Sequence, residues 1–294
     1  MKRGLIVILV AVLGLILSAG SIYAFQSPRV DRDIVYCDCL GTPLEMDLYY
    51  PYPAGDAMPV VLYIHGGGWY SGDKSSGVGQ VEIPELVRRG YLVAAVNYRL
   101  APRYQFPAQI EDVKCAVRYL RANADSFGLD PDRIGVFGDS AGGHLAALLG
   151  VTDKSSGFDS SGGCLEGSSR VQAVVDLFGP ADLTLAFQQQ WSLIIEHVFN
   201  TSDPESPLIR QASPVTYVSS DDAPFLIIHG DRDDQVFLNQ SQELYASLTS
   251  AGVPAELVVV QNAGHNFIPA DGQISPSRGE ITILVGDFID RYLK

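Results

Sequence analysis

Beyond about residue 25 the chain breaks into short apolar runs that alternate with amphipathic stretches. "DIVYC" and "LEMDLYYP" read as two antiparallel strands, with "LGTP" as the turn between them. "MPVVLYIHGGG" is an apolar, β-branched run that ends in glycine, the pattern of a buried strand feeding a loop. "YLVAAVNYR", "DRIGVFGDS", "RVQAVVDLFGP", "APFLIIHGD" and "AELVVVQNAGH" repeat that pattern and are expected as further buried strands. Helical spacing appears between them. Ile110, Val113, Val117 and Leu120 form one stripe in "FPAQIEDVKCAVRYLRANADSFG", with Gly128 beyond its end. "PELVRRG", "AGGHLAALLG" and "NQSQELYASLTSAG" are shorter helices, and "EITILVGDFIDRYL" is a closing amphipathic one. Strands alternating with helices predict an α/β fold whose mainly parallel sheet is covered on both faces.

Two segments break the alternation. Residues 153–169 are rich in Gly and Ser and read as a long surface loop. Residues 180–215 lie between two strands and hold Phe187, Trp191, Ile194 and Val198 on one apolar stripe. That stripe fits a helix packed on the body or a small cap insertion leaning over a pocket. Insertions at strand C-termini are where α/β sites are built. With no internal repeat or linker, residues 25–294 read as one catalytic-size domain.

The N-terminus changes the picture of where the protein works. Lys2 and Arg3 precede an uncharged apolar run from Leu5 to about Ala19, and small residues follow up to Ala24. This is the layout of an export signal, and residues 1–24 are expected to be a cleaved signal peptide or a retained anchor. Either way the remainder is expected outside the cytoplasm. The formal net charge of −14 argues against nucleic acid, whose binders need a basic face. Four cysteines, Cys37, Cys39, Cys115 and Cys164, then meet an oxidising compartment. Cys37 and Cys39 point to opposite faces of a strand, which disfavours a bridge between them and leaves Cys164 as a partner for either. Cys115 sits on the apolar stripe and is expected as a buried free thiol. No Cys-x-x-Cys or Cys/His cluster supports a zinc site.

Candidate chemistry begins at "VFGDSAGGHLA". Gly138-Asp139-Ser140-Ala141-Gly142 fits G-x-S-x-G and lies between a predicted strand and a predicted helix. A sharp turn there lifts the Ser140 hydroxyl to the sheet edge, and the following helix offers its N-terminal amides. "HGGGW", residues 65–69, adds a glycine loop able to aim N–H groups at a developing oxyanion. Among five histidines, His65, His144, His197 and His229 fall in positions that suit structural roles. His265, in "NAGHNF", follows the last strand, downstream of both Ser140 and the acid-rich "HGDRDD". The order Ser, acid, His makes His265 the candidate base. "HGDRDD" is not a calcium loop, since Gln235 and Val236 stand where D-x-[DN]-x-[DN]-G needs an acid or amide and a glycine.

With "HGGGW", "NYRLAP" and "GDSAGGH" in this order, the sequence resembles the α/β-hydrolase superfamily over essentially the whole mature chain. It looks most like the carboxylesterase/lipase group related to hormone-sensitive lipase. It lacks that group's N-terminal helical cap before the glycine loop, and so is similar to capless secreted esterases of the feruloyl and acetyl type. The resemblance implies Ser140 as nucleophile, His265 as base and acid, and the amides of Gly67, Gly68 and Ala141 as the oxyanion hole. Its H-G-x-x-D pattern selects Asp233 as the orienting acid, with Asp231 the alternative and Asp234 solvated. Asp139, Trp69, Tyr98 and Arg99 fall at structural or pocket-lining positions, and Asp112 is expected to brace Arg99. The implied reaction is two-step hydrolysis of a small or polysaccharide-linked ester, with no metal or organic cofactor and no nucleic-acid partner. A membrane partner is expected only if the N-terminal segment is retained. An amidase or formamidase on the same scaffold, and a non-catalytic binding protein, are the rival readings.

Overall fold

A computed structural model describes residues 29–39, 41–186, 192–201, 203 and 205–294. The expected signal or anchor at residues 1–24 lies outside them, as do Phe187 and Trp191 of the predicted stripe. Eight strands form one sheet: β1 (Val30–Cys39), β2 (Thr42–Tyr49), β3 (Met58–Ile64), β4 (Leu92–Val96), β5 (Leu129–Asp139), β6 (Ala173–Leu177), β7 (Phe225–Gly230) and β8 (Ala255–Val260). Their spatial order is β1-β2-β4-β3-β5-β6-β7-β8. β1–β2 and β2–β4 pair antiparallel, and every pairing from β4–β3 onward is parallel. The helices are α1 (Ile83–Arg88), α2 (Ala108–Ala122), α3 (Ala124–Phe127), α4 (Ala141–Gly150), α5 (Leu183–Ala186), α6 (Ser192–Phe199), α7 (Pro207–Ala212), α8 (Asn239–Ser250) and α9 (Arg278–Leu293).

The period of two in each strand divides the core between two faces. Val60, Leu62 and Ile64 of β3 face one side, where Ile110, Val113, Val117 and Leu120 of α2 and Leu145 of α4 cover them. Val61 and Tyr63 face the other, under Ile83 and Leu86 of α1 and Ile281, Val285 and Ile289 of α9. Because both faces are dry, β3 and β4 read as continuous apolar runs, MPVVLYI and LVAAV. Gly128 adopts a left-handed φ of 67° just past α3, and Ser277 with Glu280 forms a capping box that starts α9.

Three expectations change. β8 is not fully buried; it is one of the sheet's two edge strands, and only Val260 of its six residues is buried. The Gly/Ser-rich loop is not merely a surface feature. Lys114 and Arg118, both fully buried on α2, clamp Asp159 at 3.0 and 2.5 Å, and Phe158 is buried beside them. Cys164 is a free, exposed thiol, so the bridge to it does not form; Cys37 is disulfide-bonded, and the side chain of Cys39 lies outside the described residues. The loop's backbone is instead held through Arg118 and through the Cys115 sulfur, which accepts the Gly163 N–H at 3.2 Å. Cys115 is a buried free thiol, as its stripe position predicts.

Candidate active site

Four strand ends converge on one cavity. β5 runs into Ser140, whose φ of 55° and ψ of −117° make a strained turn directly before α4. Small residues around this turn are a steric requirement. A Cβ on Gly142 would sit 2.1 Å from the Ile64 carbonyl oxygen, and one on Gly138 would sit 2.3 Å from that of Gly142. β3 runs into His65 and the glycine loop, where Gly67 and Gly68 have φ of 107° and 61°. Among the described residues the amides of Gly67, Gly68 and Ala141 donate to no acceptor, which leaves them available to a ligand. Ala141 is the first residue of α4, so its N–H lies at the positive end of that helix.

β7 delivers Asp233 and the segment after β8 delivers His265, both buried. His265 Nδ1 donates to Asp233 Oδ2 at 2.8 Å, and His265 Nε2 lies 3.1 Å from Ser140 Oγ. A carboxylate only accepts, so Nδ1 carries the imidazole proton and Nε2 is free to accept from the hydroxyl. The other Asp233 oxygen accepts the backbone N–H groups of Gln235 and Val236, each at 2.9 Å. Burial alone would raise the Asp233 carboxyl, but hydrogen bonds from His229 and His265 outweigh it and hold it down to about 2. Asp233 is therefore a carboxylate at neutral pH. Of the three acids in "HGDRDD" it alone contacts His265; Asp234 is exposed, and Asp231 buries one oxygen that has no partner among the described residues.

The remaining histidines have other work. His229 is fully buried between Ser241 Oγ (2.6 Å) and the Val236 carbonyl (2.7 Å), with Nε2 also 3.3 Å from Asp233 Oδ2. His65 bonds the Gly66 carbonyl and stacks on Tyr98, and burial holds it down to about 4. His144 accepts from the Trp69 indole N–H at 3.1 Å, and its Nε2 donates to the Ala212 carbonyl at 2.7 Å. That chain ties the glycine loop, α4 and the end of α7 together. Burial holds His144 down to about 4, so it stays neutral. Arg99 and Asp112 form the expected brace, with Arg99 Nε and backbone N–H both 2.8 Å from the carboxylate.

The cavity over Ser140 measures about 490 Å³. Gly66, Gly67, Gly68, Asp139, Ser140 and His265 form its inner wall. Ser76, Gln235 and Asn266 supply polar groups, and Tyr70, Val78 and Ile194 supply apolar surface. Ile194 lies on α6, so the 180–215 segment does reach the cavity, while Val198 and Phe199 of the same helix are buried against the body. Ile194 and Val198 lie on one stripe of the helix, the first turned to the cavity and the second packed on the body. Sequence reasoning left His229 as a strand-end residue; its position four before Asp233 was the available signal for its contact with that carboxylate.

Similarity to known proteins points the same way as the geometry. Esterase LipC of Mycobacterium tuberculosis is 33% identical over 221 residues, which cover 73% of this chain and 54% of LipC. The probable carboxylic ester hydrolase LipM of the same organism is 35% identical over 216 residues, covering 70% of this chain and 49% of LipM. The chain thus spans about half the length of these curated relatives. A solved structure described as a truncated form of carbohydrate esterase from gut microbiota superposes with a TM-score of 0.77 at 29% identity, covering 90% of this chain and 95% of that one. The BD-FAE family profile matches residues 46–248, a span holding the glycine loop, the Ser140 turn and Asp233. With that match over more than half its length, the chain belongs to the BD-FAE family and has the α/β-hydrolase fold.

Proposed function

We propose that this protein hydrolyses carboxylic esters through an acyl-enzyme on Ser140. The observation that carries this reading is the Asp233–His265–Ser140 hydrogen-bond chain beside three amides that have no acceptor among the described residues. His265 Nε2 removes the hydroxyl proton as Ser140 Oγ attacks the ester carbonyl, and Asp233 stabilises the imidazolium that forms. The oxyanion develops against the N–H groups of Gly67, Gly68 and Ala141, each such donor being worth about 10²–10³ in rate. His265 then protonates the leaving alcohol and activates the water that releases the acid. All of these groups are the protein's own.

The substrates proposed are small or carbohydrate-linked acyl esters. Gln235 and Asn266 in the cavity lining suit a hydroxyl-rich alcohol, and the similar solved structure is of a carbohydrate esterase. Export through residues 1–24 is part of the same proposal, and N-terminal sequencing of secreted protein checks it. A fluorophosphonate probe tests the nucleophile: wild type should be labelled and Ser140→Ala should not. Equal labelling of the two would remove Ser140 from the reaction. A panel of acetylated sugars, aryl esters and amides, run on the same pair, then separates ester from amide hydrolysis and ranks the alcohols.

A further inference from the structure

Asp139 precedes Ser140, is 2% exposed and, among the described residues, forms no salt bridge, yet it lines the cavity in which an oxyanion would form. Its Oδ1 lies 2.6 Å from the Tyr63 hydroxyl, and that hydroxyl lies 2.7 Å from the Ser76 carbonyl oxygen. A phenol has one hydrogen to donate. If Asp139 were a carboxylate, both neighbours of the Tyr63 oxygen would be pure acceptors, and one close oxygen pair would have no hydrogen between them. A carboxylic acid resolves the count: Asp139 donates to Tyr63, and Tyr63 donates to Ser76.

We infer that Asp139 is a positioning residue that works as a neutral acid, bracing the Ser140 turn against the 76–79 loop without placing an anion beside the oxyanion site. Surrounding groups fit this arrangement. A Cβ on Gly66, in the glycine loop, would sit 2.7 Å from Asp139 Oδ2, so a negative charge there would oppose the charge that develops during acyl transfer. Gly77 has a φ of 93°, and a Cβ on it would lie 2.2 Å from the Tyr63 hydroxyl and 2.7 Å from Asp139 Oδ1. The loop backbone is thus closed tightly over the pair.

Four other titratable or charged groups bear on Asp139 or its partner. Tyr63 is held well above the ordinary phenol value by burial, so it keeps its proton. Tyr98 is likewise raised by burial. Glu82 acts on Tyr63 from further away and is itself bonded to Arg278. Burial is the largest effect on Asp139 and raises its carboxyl, while the amides of Gly79 and Val78 and His265 act the other way.

Infrared difference spectroscopy of wild type against Asp139→Asn at neutral pH tests the protonation state without turnover. It therefore stands or falls separately from the hydrolase reading on which the rate test depends. The expected result is a protonated-carboxyl carbonyl band, sensitive to D₂O, that is lost in the variant. Glu82, Asp112 and Asp176 are common to both samples and cancel. Should the variant not fold, Tyr63→Phe keeps Asp139 and should shift the same band by removing its acceptor. In the rate test, Asp139→Ala should lower kcat/KM about tenfold, Asn should recover most of that, and the wild-type decline at alkaline pH should be missing in Asn. A difference spectrum with only ionised-carboxylate bands would overturn the inference, as would an alkaline decline that Asn retains.

Discussion

His229 Nε2 stands 3.3 Å from Asp233 Oδ2, the same oxygen that accepts the His265 Nδ1 proton at 2.8 Å. Two imidazoles thus flank one carboxylate oxygen, one facing Ser140 and one facing the core. His229→Phe should lower kcat about tenfold with KM little changed, since it removes one buried hydrogen-bonding partner from the orienting acid. Asp233→Asn should lower kcat by about 10⁴, because an amide can select the wrong His265 tautomer. Steady-state kinetics on a chromogenic ester measure both.

Acid stability should follow the two neutral histidines. His65 and His144 are both held down to about 4 by burial, so over the interval between that value and about 6.5 the unfolded chain binds protons that the folded chain does not. The stability they contribute is complete above about pH 6.5 and is lost as pH falls toward 4. Asp233 adds loss in the same direction at lower pH, as the medium approaches its value of about 2. Glu82, Asp112 and Asp176, which burial raises to about 7, 6 and 6, act in the opposite sense over the same range, so the histidine contribution is read as the urea-midpoint difference between wild type and His144→Gln, which should shrink as pH falls from about 6.5 toward 4. A difference that stays constant with pH would contradict the buried neutral assignment of His144.

Gly142→Ala should be among the most damaging single methyl additions in the protein. The new Cβ would meet the Ile64 carbonyl oxygen at 2.1 Å and that of His65 at 2.6 Å, both main-chain atoms of the strand that leads to the glycine loop. Neither can swing aside like a flexible side chain. A destabilisation of about 4 kcal/mol or more is expected. Gly90→Ala meets no atom within 4 Å but has a φ of 97°, so it should cost only the backbone strain. Denaturant midpoints of the two variants give the comparison.

The 180–215 segment should affect substrate choice through Ile194. Shortening it to alanine should raise KM for esters with an apolar group near the cavity mouth by about tenfold, the scale of a few lost methylene contacts. Acetyl esters of sugars should change less. An equal effect on every substrate would mean that Ile194 serves only packing.

Local sequence carried much of the site. Ser140 is legible because a strand, a small-residue turn and a helix are contiguous, and the glycine loop because a buried strand runs straight into it. Asp233 is harder to see, since its two neighbouring acids have the same chemistry and only spacing from His229 separates them. What composition does not carry is placement in space. β8 reads like its inner neighbours because of its Leu-Val-Val-Val run, but it stands last in the sheet and pairs with one strand rather than two. Lys114 and Arg118 sit on a helix whose apolar stripe is clear, and their burial depends on a loop some forty residues later folding back to supply Asp159. The Tyr63–Asp139 pair joins residues 76 apart in the chain on neighbouring strands.

The open edge of the sheet shapes how this protein should fail under heat. His265 is attached directly to β8, which pairs with β7 alone, whereas Ser140 hangs from β5 between two neighbours. Fraying that frees the last strand would carry the imidazole away from a hydroxyl still fixed in an intact centre. Catalysis should then fade at temperatures where Trp69 and most backbone amides still report a native protein, and return on cooling as the edge zips closed. Amide exchange should be faster along β8 than along β3 and β5.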